Sequence, residues 1–185
     1  MFHEIEDIER EKQRLSRRPS LEDAPPVLSA FDVRTNCPVA EFDARLRSVL
    51  GPALDLAVSH PFEGELPVDA LPDWFTSAAQ KTPASAPAHV TRGAERYAAT
   101  VGGGSWRPQE WLYQFDPESE FRGWAWWDLT RTGEHEARIW VDTWGESFFA
   151  CDELRWLAYV SGAEEVTGPT LVRAADWVAA LDRDR

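Results

Sequence analysis

Between Trp106 and Trp156 this chain of 185 residues carries eight of its ten tryptophans. They are interleaved with acids, as in Gly123-Trp124-Ala125-Trp126-Trp127-Asp128 and Trp140-Val141-Asp142-Thr143-Trp144-Gly145-Glu146. An indole combines a large apolar ring with one N–H donor, so it belongs in a core, a ligand pocket or a protein interface. Whatever fold forms must place this segment where rings of that size are wanted.

The length suits one domain with a core of its own, and 43% hydrophobic residues is ordinary for a globular chain. The charge is not ordinary: 32 acids against 19 bases leave a net −13. That balance excludes nonspecific nucleic-acid binding, which needs a basic surface to neutralise phosphates. It also disfavours docking on anionic lipid. A basic protein partner or a cationic ligand suits it, with solubility alone as the plain alternative. No apolar run reaches the roughly 18 residues of a membrane span. The acidic start, Met1 to Asp7, lacks the apolar run of a signal peptide. The expected setting is therefore cytoplasmic. Arginine far above lysine, with much alanine, points to a GC-rich bacterial source. Cys37 and Cys151 stand apart, without a second ligand at metal spacing, and are expected reduced and buried.

Residues 1–26 read as a charged helical arm and linker. Ile5, Ile8 and Leu15 form only a thin apolar stripe. Pairs such as Glu6/Arg10 and Glu11/Arg14 suit a solvated helix, loosely attached or lying against a partner. Residues 27–185 read as a single α+β domain. Pro38 opens a helix that Gly51 stops. Leu54, Leu56 and Val58 alternate with Asp55 and Ser59, which predicts a half-buried strand. A short helix is expected from Leu71 to Gln80, then a flexible connection at 81–88. Tyr97, Ala99 and Val101 alternate as in a strand, although the same residues suit a helix. Strands are predicted over 111–115, 121–129 and 137–143, joined by tight turns. A helix follows over 149–161, then a short strand at Val166. Thr170 caps a final helix. The sum is an α+β fold: an antiparallel β-meander of about four to five strands packed with helices.

No catalytic motif emerges. Asp128 and Glu146, beside tryptophans, could stand as the facing carboxylates that a glycosidase needs, but a chain this acidic offers such pairs by chance. Gly133-Glu134-His135-Glu136 has Ile139 where a zinc protease helix needs its second histidine. The Gly102–Gly104 run lacks the lysine of a phosphate loop. No metal and no cofactor is implied.

The tryptophans remain the strongest signal. In an extended strand Trp124 and Trp126 share one face and Trp127 takes the other, while Trp140 lies opposite Ile139 and Val141. Trp124, Trp126, Trp140 and Trp144, rimmed by Asp142 and Glu146, are the candidate recognition residues. The leading expectation is an acidic protein-binding module for a basic partner, an immunity-type inhibitor by analogy of composition. The alternative is a small-molecule-binding domain or enzyme with a Trp-lined, carboxylate-rimmed pocket.

Overall fold

The computed structural model describes residues 4–79, 86–119 and 122–184. Four strands, β1 (Val27–Thr35), β2 (Ala125–Arg131), β3 (Glu136–Asp142) and β4 (Ala163–Arg173), form one antiparallel sheet in the order β2-β3-β1-β4. Around it lie seven α-helices among the described residues: α1 (Ile5–Ser16), α2 (Val39–Ser59), α3 (Asp73–Thr76), α4 (Ala88–Val101), α5 (Pro108–Leu112), α6 (Asp152–Val160) and α7 (Ala174–Arg183). The chain is α+β, as its pattern predicts. Among the residues assigned to elements by pattern, His3, Gln80, Phe121 and residues 81–85 of the connection lie outside the described residues.

Strand β1 runs through the middle of the sheet, between β3 and β4. Its residues feed two cores. Phe31 and Val33 join the larger core with residues of α2, α4, α5 and α6. Leu28 and Ala30 join a smaller one with Trp127, Trp140 and Trp177 under α7. Both faces of β1 are covered over Leu28–Phe31, where alternation is lost, while Asp32 and Arg34 are exposed toward its end, so Val27–Thr35 shows period two only over its last residues.

Several elements differ from expectation for identifiable reasons. Gly51 does not stop α2; the helix continues through Pro52 to Ser59. An internal proline costs about 3 kcal/mol, but Leu46, Val49, Leu50, Ala53, Leu54 and Ala57 are all buried along one stripe, and that burial outweighs the lost hydrogen bond. Residues 54–58 are therefore helix. The Tyr97–Val101 stretch is likewise helical. Val90, Gly93 and Tyr97 form the buried face of α4, and Gly102, at φ 77°, ends it in the left-handed conformation. Gly93 is obligatory for packing, since a Cβ there would overlap the Tyr159 carbonyl oxygen of α6. Trp111–Phe115 is a helical turn that buries Trp111 and Leu112. Strand β4 extends far beyond Val166, through a bulge opposite Ala30–Asp32, so Thr170 is a strand residue. Arg173 and Asp176 cap α7 in its place.

The N-terminal arm belongs to the fold. Ile8 is buried in the larger core. Glu11 is buried too and meets Arg122, also buried, in an ion pair in which both terminal nitrogens of Arg122 donate to the carboxylate. The same carboxylate accepts the Trp126 backbone N–H at 2.6 Å. Arg122 is flanked by the rings of Phe115 and Trp124, each 4.4 Å from its guanidinium carbon. Along the outer edge of β2, Arg14 donates to the Trp126 carbonyl at 2.8 Å and Arg18 to the Leu129 carbonyl at 3.1 Å. Side chains thus occupy backbone positions that a fifth strand would otherwise fill. Arg47 of α2 binds the carbonyls of Arg14 and Leu15 at the end of α1, satisfying acceptors that a helix terminus leaves open.

Removing one member of a buried ion pair strands the other charge, at about 3–5 kcal/mol. Glu11→Ala is expected to destabilise by that amount in urea unfolding monitored by circular dichroism. A loss below about 1 kcal/mol, the scale of a surface pair, would contradict a structural role for the arm.

Candidate functional site

The candidate tryptophans lie on the predicted faces but not in the predicted environment. Trp124, Trp126 and Trp140 are each 0% exposed. Trp124 and Trp126 belong to the larger core, and Trp140 to the smaller one. The helices that cover both faces of the sheet remove these three from direct contact with any partner. Their polar atoms are engaged internally where acceptors exist: Trp124 Nε1 donates to Glu153 at 2.6 Å and Trp140 Nε1 to Thr130 Oγ1 at 2.9 Å. Trp177 Nε1 donates to Asp128 at 2.9 Å while its ring meets Trp127 edge-on, centroids 5.5 Å apart.

Buried carboxylates sit among these rings. Burial raises the Glu153 carboxyl above its ordinary value, opposed by the hydrogen bond from its own backbone N–H and by that from Trp124. Asp128 is raised for the same reason, opposed by Trp177 and Arg18. Both act as acceptors for indole N–H groups. Asp128 is buried against Trp177 and Arg18, whereas Glu146 stands on an exposed loop. These two do not make a catalytic pair. His135 is tied to the Cys37 carbonyl at 3.0 Å, and no group of three or more metal-ligating side chains occurs among the described residues. Cys37 and Cys151 are buried and unpaired, and burial raises both thiols, which works against reactivity.

Trp144 and Glu146 are exposed in the loop that follows β3, and Asp142, the last residue of β3, is half-buried. Trp144 (φ 52°) and Gly145 (φ 83°) both have positive φ, the combination that type I′ turns require. Position 144 would ordinarily hold Asn or Gly, so an indole there is costly by about 1 kcal/mol or more. The turn is held by the Trp144 N–H donating to Asp142 at 2.9 Å and the Glu146 N–H donating to the Thr143 carbonyl at 2.9 Å. Thr143 Oγ1 also donates to the Glu146 carbonyl at 2.8 Å. Trp144 is 39% exposed, and Phe148, four residues on, is 95% exposed. Its neighbour Phe149 turns inward, edge-on to Phe31 at 6.3 Å. Sequence reasoning missed Phe148; the Phe148-Phe149 pair signals only that one ring has to point away from the core.

A cleft of about 600 Å³ opens between the arm and the neighbouring ends of β2 and β3. Arg10, Arg14, Arg17 and Arg18 line its arm side together with Asp7, Glu11 and Asp23. Trp127, Asp142 and Trp144 line its sheet side. The arginines give no sequence signal, because on a charged helix they resemble a solvated face. Burial raises the Asp142 carboxyl, opposed by the Trp144 N–H and by Arg14. Burial lowers the Arg14 guanidinium, opposed by Glu11 and Asp142.

Comparison with known proteins returns no match to a family model, to a curated protein or to a solved structure.

An acid with a raised folded pKa binds its proton more tightly in the native state than in the unfolded chain. Its contribution therefore stabilises below the ordinary value of 3.8 and is lost as pH rises through the raised one. Asp142→Asn is expected to be more stable than the parent at neutral pH, with the gap closing as pH falls toward 3.8. Urea unfolding across that range measures it. A gap that does not change with pH would contradict the assignment.

Proposed function

We propose that this chain is a protein-binding module that docks a basic partner through the Thr143–Ala150 loop, in the manner of an immunity-type inhibitor of a basic enzyme. The observation that carries the reading is Phe148, 95% exposed, whereas the other described aromatic side chains apart from Trp144 are buried or half-buried. A bare ring of that size is unfavourable in water and gains by entering a partner's pocket. Trp144 stands close by in sequence, with Asp142 and Glu146 as an acidic rim.

The loop's construction supports the same reading. Its turn is fixed by hydrogen bonds within the loop, so little order has to be imposed on binding. Positive φ at a tryptophan is the kind of local strain that persists where surrounding structure enforces it, often at functional positions. The net charge of −13 favours encounter with a basic protein and makes association salt-dependent. Its acids would occupy the cleft of an enzyme that acts on a polyanion.

The test is affinity capture of partners from the native source at low and high ionic strength, with the parent and with Phe148→Ser. The parent is expected to hold a basic protein at low salt and release it at high salt. Phe148→Ser is expected to lose about 2 kcal/mol or more of binding, the scale of an interface hot spot, with unchanged thermal stability. Failure to retain any basic protein at low salt, or equal capture by Phe148→Ser, would overturn the reading.

A further inference from the structure

We infer that the cleft between α1 and the ends of β2 and β3 is a binding site for a small organic anion: a carboxylate or phosphate carried on a flat apolar body. Arg14 and Arg17 hold the anionic group, and Trp144 packs against the body. The inference does not rest on Phe148 or on the loop as a docking element, although Trp144 and Asp142 border both surfaces.

Spacing creates the site. Arg10 and Arg14, at i and i+4 on α1, share one side of the helix with Asp7, and Arg17, in extended backbone just past the helix end, lines the same cleft. Ile8, Glu11 and Leu15 face the protein instead, where Ile8 and Leu15 contribute to the larger core. The same helix is therefore anchored by one stripe and presents cations with the other.

Hydrogen bonding distinguishes the arginines. Arg10 is matched by Asp7 at 2.8 Å and Glu6 at 3.5 Å. Arg18 is matched by Asp128 at 3.0 Å and Asp184 at 2.7 Å. Arg14 commits only Nε, to the Trp126 carbonyl; its terminal nitrogens have no hydrogen-bond or ion-pair partner among the described residues. Arg17 likewise has no side-chain partner there. The Arg14 guanidinium carbon lies 4.9 Å from the centroid of the Trp127 ring, so that ring and the Nε bond fix its plane. A fixed guanidinium with its outer edge free matches the two-oxygen face of a carboxylate or phosphate. Arg14 is also largely desolvated, which lowers its pKa, and an arriving anion would offset that cost.

The remaining walls set the ligand's size and orientation. A cleft of about 600 Å³ falls in the range of small-molecule sites. Trp144 offers a partly exposed indole on the sheet side. Acids line both sides, Asp142 on the sheet side and Asp7, Glu11 and Asp23 on the arm side, so the anionic group is restricted to the guanidinium edges of Arg14 and Arg17. The acidic surface as a whole opposes long polyanions, which leaves small anions as the occupants.

Titration calorimetry with phenyl phosphate, benzoate, inorganic phosphate, benzamide and benzylamine tests the site. Phenyl phosphate and benzoate are expected to bind saturably, inorganic phosphate more weakly, and the neutral and cationic compounds not at all. Arg17→Gln is expected to weaken phenyl phosphate roughly tenfold, the loss of one charge-assisted contact. Arg14→Gln is expected to weaken it further. Arg14 also braces β2, so Arg17→Gln remains decisive if Arg14→Gln unfolds. Phe148→Ser is expected to bind like the parent, which separates this site from loop docking. Absence of saturable binding by both aromatic anions would overturn the assignment. So would equal binding of benzamide, equal affinity for inorganic and phenyl phosphate, or unchanged affinity in Arg17→Gln.

Discussion

The Glu11 carboxylate is the contact on which the rest of the architecture depends. It neutralises Arg122 inside the protein and accepts the Trp126 N–H at the sheet margin. An isolated charge at either position would be too costly to bury, so neither residue has a stable place without the other. The pair joins three regions distant in sequence: the arm, the segment entering β2 and the rings of Phe115 and Trp124 that flank Arg122. Because Glu11 points inward, Asp7, Arg10 and Arg14 of the same helix are turned toward the cleft, and Arg17 follows just past its end. Anchoring and presentation are two faces of one helix, and the cleft exists only while the anchor holds.

The tryptophan segment divides in two on the same physical grounds. Where the chain is extended and covered by helices, the rings are core, with acceptors such as Glu153, Thr130 and Asp128 supplied for several of the indole N–H groups. Where β3 ends, the covering stops, and Trp144 and Phe148 fall beyond it. The two exposed rings are thus a consequence of where the sheet ends. Their acidic neighbours and the enforced turn give that end a defined shape, and this is what makes it suitable for recognition.

Much of the fold was legible because it rests on local rules. Period-two alternation located β2 and β3, and placed Trp124 and Trp126 opposite Trp127. Charge spacing located α1, and Pro38 marked the start of α2. What escaped depends on tertiary context. Gly51-Pro52 reads as a helix stop, yet apolar burial on both sides carries α2 through it. Val27–Thr35 lacks alternation over Leu28–Phe31, where both faces are interior, and shows it only over its last residues. Tyr97 to Val101 fits either period, and the close approach of α4 to α6 at Gly93 decides for the helix. The candidate site was legible only in part. Trp144 and Glu146 are exposed residues of the loop and Asp142 is half-buried at the end of β3, whereas Trp124, Trp126 and Trp140 are interior. Alternation tells which face a ring takes and says nothing about whether another layer covers that face. Glu11, Arg14 and Arg17 were concealed because a charged helix has the same composition whether its charges meet water, a partner or the interior.

The irregular course of β4 bears on self-association. This strand forms the far margin of the sheet, where a free row of amides and carbonyls would invite templated pairing with another molecule. Here Pro169 has no amide to offer, and the neighbouring Gly168 carbonyl is already taken by Arg155 at 2.6 Å. At the opposite margin the arm's arginines hold the carbonyls of Trp126 and Leu129. With both rims interrupted at these positions, strand-to-strand polymerisation is disfavoured, and the molecule can display the bare Phe148 ring without becoming the seed of its own fibril.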